Sequence, residues 1–324
     1  MPQKGYQMSH DAQPVTDSRE HQKNGEQKAT EAKPSVQPIT EQVQGYRSAR
    51  ALIGWMTPDE AKLCLSRRKA DEKERPEYEE RSASARAAVS SRPISNAQAE
   101  VISAAPDKLA EHIKSLQQHP SSAQYFHEGW HVAMVDLSKV CSIQPVIHKD
   151  QAVERIVGVN SDDIESLAKL SLPIPAPSNL AVQFIPDKQS WLFSSPNPNL
   201  RIMGQFGGEV QPGLHGFGFI VAVSSSYMQV GSYKGRYLLR DGYHRAYGFL
   251  STGISHVPVF VREFVTFNEF ATGLPVGLLP QDAYLGDRPP WLIDYFNDDV
   301  SAEVLTPATH KMVVIQGLEL STLS

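Results

Sequence analysis

The first fifty residues contain no leucine, phenylalanine or tryptophan and are rich in Gln, Glu, Lys, Ser and Pro. Such a segment cannot bury enough apolar surface to offset the entropy it would lose on ordering. Residues 1–50 are therefore expected to form a disordered tail, available to recruit a partner protein. The fold has to be built from the remainder of the 324 residues.

The net charge is -5, so the overall balance does not draw the chain to nucleic acid, whose dedicated binders carry a basic excess. Only a local basic patch leaves a nucleic-acid partner open. Cys64 and Cys141 lie too far apart in sequence for a CxxC-type ligand pair and read as reduced thiols. Met1 to Gly45 lacks the apolar core of a signal peptide, and no apolar run approaches ~18 residues, so a cytoplasmic location without a membrane span is expected.

Residues 51–122 read as a helical segment. Thr57-Pro58-Asp59-Glu60 combines a hydroxyl N-cap, a proline at the first helical position and a carboxylate placed to complete a capping box. The helix is expected to run through Ala61, Leu63 and Cys64 into the charged stretch Arg67 to Glu80 and to be interrupted at Pro76. Acids and bases alternate in that stretch, the pattern of a solvated face. Leu109, Ile113 and Leu116 share one face of a second helix from Pro106 to about Gln118, with loops at Ser91–Ser95 and Pro120–Ser122.

From Tyr125 onward, aromatic and β-branched residues become frequent and short strand-like runs fall between Gly and Pro breaks. Residues 123–324 read as an α+β core domain, a mixed sheet with short helices, followed by a C-terminal extension. Strands are expected at His131–Asp136, Phe217–Val223, Tyr227–Tyr233, Arg236–Arg240, Val257–Glu263 and Met312–Gln316, with a hairpin turn at Lys234-Gly235. Ser161-Asp162-Asp163 opens a short helix. Six prolines between 173 and 198 mark a long irregular connection, of the kind that covers or serves a site. The glycine-rich stretches 204–208 and 213–218 read as loop punctuation, with a loop over a pocket as the alternative; neither is followed by Gly-Lys-Ser/Thr. Trp291, Tyr295 and Phe296 read as a terminal helix docked by its rings.

The chemically pointed feature is Asp241-Gly242-Tyr243-His244-Arg245, where a strand gives way to a helix. Ala246, Phe249 and Leu250 are spaced to pack that helix on the sheet, leaving its N-terminus free. Unpaired backbone N–H groups and the positive end of the helix dipole favour an anion there. His244 and Arg245 add side-chain donors, and an arginine can grip two phosphate oxygens at once. Asp241 is placed to orient those two, to cap the helix or to meet the Mg²⁺ of a nucleotide. The competing reading is a tight turn made by Asp241 and Gly242, with His244 and Arg245 as ordinary first-turn residues.

A hairpin strand, then DGYHR, a helix, and Gly253-Ile254-Ser255-His256-Val257-Pro258-Val259-Phe260-Val261-Arg262 resembles the core of the ParB and sulfiredoxin superfamily, over roughly 40 residues. Val135-Asp136-Leu137-Ser138-Lys139-Val140 with Gln144-Pro145-Val146 is similar to that family's first strand and loop. The resemblance implies a ParB-like fold and a pocket for an NTP with Mg²⁺. Gly242, Tyr243, His244 and Arg245 would hold the phosphates, and Asp241, His244 and Arg245 would take part in hydrolysis or transfer of a phosphoryl group. It also leaves open a ParB-like nuclease and a non-catalytic or DNA-associated regulatory scaffold. Several features depart from the family. There is no E-N-x-x-R motif, the connection from 171 to 216 is long, and position 243 is tyrosine where sulfiredoxin has its active cysteine. Sulfinic-acid reduction and centromere binding are therefore not expected.

Among other candidates, His127-Glu128-Gly129-Trp130-His131 has the letters of HExxH, but Gly129 disfavours the continuous helix that motif needs, so no metal ligands are assigned. Ser224-Ser225-Ser226 lacks the setting of a nucleophile elbow.

Overall fold

The computed structural model describes residues 45–66, 75–95, 100–174, 180–195, 200–223, 226–308 and 311–316. The chain divides after Gln42, and every described residue belongs to the unit Val43–Ser324. Its first elements are β1 (Tyr46–Ala51), α1 (Pro58–Ser66), α2 (Arg75–Ser91), β2 (Ile102–Ala104), α3 (Ala110–Gln118) and α4 (Pro120–His127). Next come β3 (His131–Asp136), β4 (Val146–His148), α5 (Lys149–Glu154), α6 (Ile164–Ser171), β5 (Ala181–Ile185), β6 (Ser190–Ser195), β7 (Leu200–Gln211) and β8 (Leu214–Val223). The remainder is β9 (Gln229–Tyr233), β10 (Arg236–Asp241), α7 (Tyr243–Ser251), β11 (His256–Glu263), α8 (Phe267–Ala271), α9 (Gln281–Leu285), β12 (Ala302–Pro307) and β13 (Lys311–Gln316). The class is mixed α+β.

The largest sheet has the order β10-β9-β11-β3-β2. β9 and β10 form a hairpin across Lys234 and Gly235, whose φ angles of 48° and 73° give the left-handed pair that matches strand twist. β11 runs parallel to β9 and antiparallel to β3. Its Val257, Pro258, Val259, Phe260 and Val261 are all buried, because this strand is covered on both faces. Pro258 precedes the stretch paired with β9, so its missing N–H removes no bond from that ladder. A second sheet has the order β12-β1-β4 and a third β13-β6-β5, while β7 and β8 pair only with each other.

Local signals worked where they were self-contained. The capping box forms: Thr57 N–H donates to Glu60 Oε2 at 2.9 Å and Glu60 N–H to Thr57 Oγ1 at 3.3 Å. Asp163 caps α6 by accepting from Glu165 N–H at 3.0 Å.

Other expectations need correction. The polar tail does not extend to residue 50, because 46–51 form β1, hydrogen-bonded on both sides, with Ala49 and Ala51 fully buried; residues 1–44 lie outside the described part. Pro76 does not interrupt a helix but falls in the first turn of α2, where no N–H is required of it; residues 67–74 of the charged stretch lie outside the described part. Pro120 likewise opens α4 instead of marking a loop, with the His119 ring accepting from Ser121 N–H at 3.2 Å. The proline-rich connection holds β5 and β6, and the glycine-rich stretches are the two long strands β7 and β8. Leu292 to Phe296 is a short 3₁₀ turn, not a terminal helix; of the three rings expected to dock it, Tyr295 is buried, Trp291 is half-buried and Phe296 is exposed.

The segment 51–122 shares its core with the α+β region. Leu52, Ile53, Ala61, Ala85 and Leu116 belong to the same apolar cluster as Val135, Leu238, Phe249 and Phe260. Arg92, just beyond α2, lies over the Trp55 ring and makes a two-pronged bond to the buried Asp294 carboxylate at 2.8 and 2.9 Å. No helix among the described residues is long and apolar enough to cross a membrane.

Candidate functional site

The turn after β10 is built around Gly242, which has φ +97° and serves as the N-cap residue of α7. Its own N–H is taken by Asp241 Oδ1 at 2.6 Å. A side chain here would meet Met228: a Cβ would lie 2.5 Å from Met228 Cγ and 3.1 Å from its Cα. Both the dihedral and the space demand glycine. Gly242→Ala is expected to cost about 2–3 kcal/mol from backbone strain and overpacking, measured by urea unfolding. A loss below about 0.5 kcal/mol would show that Met228 yields freely and that the turn is loosely packed.

The five residues of the turn face in different directions. The Tyr243 ring is buried, its hydroxyl donating to the Leu239 carbonyl and accepting from Ile143 N–H at 3.0 Å. Burial drives the Tyr243 hydroxyl pKa well above its ordinary value. Arg245 is 5% exposed. Its Nη1 donates to the Leu170 and Ser171 carbonyls at 2.9 and 3.3 Å, and its Nη2 to Ser226 Oγ at 2.9 Å. Ser226 in turn donates to Asp241 Oδ2 at 3.1 Å. The guanidinium thus fills the role of a C-terminal cap on α6, meeting carbonyls that have no intrahelical partner. Burial lowers its pKa to about 10, opposed by the nearby Asp241 charge, so it remains a cation at neutral pH.

His244 points elsewhere. Its ring stacks on His148, with centroids 5.5 Å apart and planes 4° from parallel. Its Nε2 is buried without a hydrogen-bond partner among the described residues. Burial, reinforced by the Arg155 and His148 charges, pushes its pKa down to about 3, so the ring is neutral at physiological pH.

A cavity of about 850 Å³ opens beside the turn, in the size range of small-molecule sites. From the five predicted residues its wall takes Asp241 and Tyr243, but not Gly242, His244 or Arg245. The turn therefore divides: one side faces the cavity, and the other joins β10 and α7 to α6 through Arg245 and to β4 through His244. Neither His244 nor Arg245, expected as phosphate ligands, extends into the cavity.

The residue that sequence reasoning passed over is Arg240. Its guanidinium lies 5.4, 4.9 and 5.5 Å from the ring centroids of Trp130, Phe264 and Phe270, and Nη2 donates to the Thr272 carbonyl at 2.7 Å. Among the described residues no carboxylate lies within ion-pairing distance of it. Burial and the nearby Arg262 charge lower its pKa. Arg262 also lines the cavity but is paired with Glu269. The half-buried Tyr125 and edges of the nearly buried Trp130 and Phe264 line it, and Glu128 and Asp241 supply carboxylates. The only local hint was an arginine one residue before Asp241 at the end of a strand; the rings around it come from the entry to β3 and from the segment after β11.

His127 ends α4, a turn intervenes, and His131 begins β3, so the HExxH letters do not lie on one helix. No group of three or more His, Cys, Asp or Glu able to hold a metal occurs among the described residues. Compared with models of known protein families, with curated proteins and with solved structures, the chain matches none of them.

Proposed function

We propose that the chain binds a nucleotide or another phosphate-bearing ligand in the cavity beside the Asp241 turn. The observation that carries this reading is Arg240: a half-buried cation, held among three aromatic rings and without a carboxylate partner among the described residues, on the wall of a space of about 850 Å³. An anion reaching that guanidinium would receive charge-assisted hydrogen bonds from a preorganised donor. The half-buried Tyr125 ring offers surface to a base, and the carboxylates of Asp241 and Glu128 are where a nucleotide's Mg²⁺ would be met. The likeness of the roughly 40 residues around the DGYHR turn to the ParB and sulfiredoxin core supports the same ligand class. It places the ligand at the turn itself, whereas the side chains favour the space next to it.

The arrangement bears on chemistry as well. His244 is neutral and enclosed, and Arg245 is spent on backbone carbonyls, so neither is free to serve as a proton carrier or to stabilise a transferring phosphoryl group. That favours ligand binding without turnover, a regulatory scaffold, over an NTPase or nuclease.

Calorimetric titration of the full chain with ATP, CTP, GTP and UTP in the presence of Mg²⁺ tests the reading. At least one is expected to bind, and Arg240→Ala is expected to weaken it by about tenfold or more, the loss of one charge-assisted contact. Arg240→Ala should remain folded by circular dichroism, since Arg240 contributes one hydrogen bond and ring contacts at the cavity edge. Absence of binding by every nucleotide and by pyrophosphate up to about 1 mM would remove the proposal.

A further inference from the structure

The β7–β8 ribbon stands out from the rest of the molecule by what it leaves uncovered. Its strands have 12 and 10 residues, which at about 3.3 Å per residue makes an arm roughly 35 Å long. It pairs with no other strand among the described residues. An isolated two-stranded ribbon is marginally stable in water, so an arm of this length needs something to lie against.

Its side chains say what kind of surface that is. Ile202, Met203, Phe206, Val210, Phe217 and Ile220 are each about half exposed or more, with Phe206 at 66% and Phe217 at 78%. The glycines belong to this design. Gly207 faces Phe217 and Gly218 faces Phe206 across the ribbon, and a Cβ on Gly207 would come within 2.6 Å of the Phe217 ring. Each phenylalanine lies flat over a glycine, one ring on either face. Between Leu200 and Val223 the only charged residues are Arg201 and Glu209. That lack of cations argues against nucleic acid and against an anionic membrane surface.

The same chain displays a second surface of matching character. In the sheet β13-β6-β5, Val182, Phe184 and Trp191 share one face and are 45–50% exposed, and β5 is an edge strand among the described residues. No charged group interrupts that face along β5 and β6. The exposed apolar groups on one face of the arm present on the order of 400 Å²; in a two-fold pair each copy also contributes its receiving face, so one partner brings roughly 600–800 Å², near one side of a standard protein interface. Two neutral apolar surfaces on one chain satisfy each other when two copies meet about a two-fold axis, and such a pair is closed.

We propose that the β7–β8 ribbon is a dimerisation arm that lies across the apolar β5–β6 sheet face of a second copy of this chain. The inference is independent of what the cavity binds. No residue of β5 to β8 belongs to the main apolar cluster, so variants in this region test association without dismantling the core.

Sedimentation of the full chain over a range of concentrations is the experiment. The wild type should sediment with twice the 35.8 kDa mass of one chain. Phe206→Ser combined with Phe217→Ser should weaken association by tenfold or more. Because that pair of changes also loosens the arm, Trp191→Lys is the second variant: it leaves the arm intact, charges the receiving face, and should dissociate the dimer as well. Circular dichroism should show both variants folded. Four results would overturn the proposal: a wild type that stays monomeric at about 100 µM; a dimer indifferent to the arm changes or to Trp191→Lys; open-ended aggregates in place of a dimer; and a monomer that floats with phosphatidylcholine vesicles, which would give the arm to a lipid surface.

Discussion

Replacing Arg245 with alanine is expected to destabilise the protein by about 3–5 kcal/mol, the range for removing one partner from a buried charged network. The Leu170 carbonyl at the end of α6 and Ser226 Oγ, which itself bonds Asp241, each lose the Arg245 donor, and the Ser171 carbonyl keeps only the Met228 N–H at 2.8 Å. Asp241 would lose the cation that Ser226 bridges to it. Lysine should rescue little, because an ammonium cannot reproduce the planar fork that spans two carbonyls and a hydroxyl. Urea unfolding of wild type, Arg245→Ala and Arg245→Lys measures the effect. A loss under about 1 kcal/mol in the alanine variant would show that the guanidinium is not the clamp described. The contrast with Arg240→Ala is informative, since that change should act chiefly on ligand affinity and this one on the fold.

Stability should also fall as the solution is acidified, well before the carboxylates protonate. In the folded protein His244 resists protonation down to about 3, because burial and the Arg155 and His148 charges disfavour the cation. Once unfolded, the same ring takes up a proton below about 6.5. The unfolded state therefore binds more protons in that interval, and acid pulls the equilibrium toward it. The stabilising contribution is complete above about 6.5, declines as the pH drops, and is exhausted near 3; between pH 7 and 5 the decline amounts to about 2 kcal/mol. His148, whose pKa burial also lowers, adds to the slope with the same sign. Asp136, Asp298 and Glu303 have pKa values held below their ordinary range, so their losses come at lower pH. Unfolding free energies measured from pH 7 to 5 should slope for the wild type and flatten in His244→Asn. A flat wild-type profile would mean that water reaches the ring.

The parts of the fold that could be read from the sequence are those whose causes lie within a few residues. The Thr57–Glu60 box, the Lys234-Gly235 turn and the short apolar strand His131–Asp136 each carry their own explanation. Pro76 and Pro120 were misplaced because a proline marks a boundary without saying on which side the helix lies. Gly204 to Gly208 looked like a loop because the reason for Gly207 is a phenylalanine on the opposite strand. The site failed for the same reason on a larger scale. Arg245 is explained by carbonyls some 75 residues upstream, and His244 by a ring at 148. A motif states which groups are present at a turn, whereas burial decides which of them meet solvent. Arg240 showed the converse: nothing in its neighbourhood in sequence announces three rings gathered from the entry to β3 and the segment after β11.

The strand Tyr46–Ala51 lies between β12 and β4, with Tyr46 opposite Pro307. During synthesis one of its partners is made late, so a nascent chain waits with one ladder of hydrogen-bonding groups unsatisfied until Ala302–Pro307 have emerged. The separation of β1 from β12 makes the folding of this sheet a long-range closure, slow by the measure of sequence separation, and leaves an adhesive edge open for chaperones or for aggregation in the meantime.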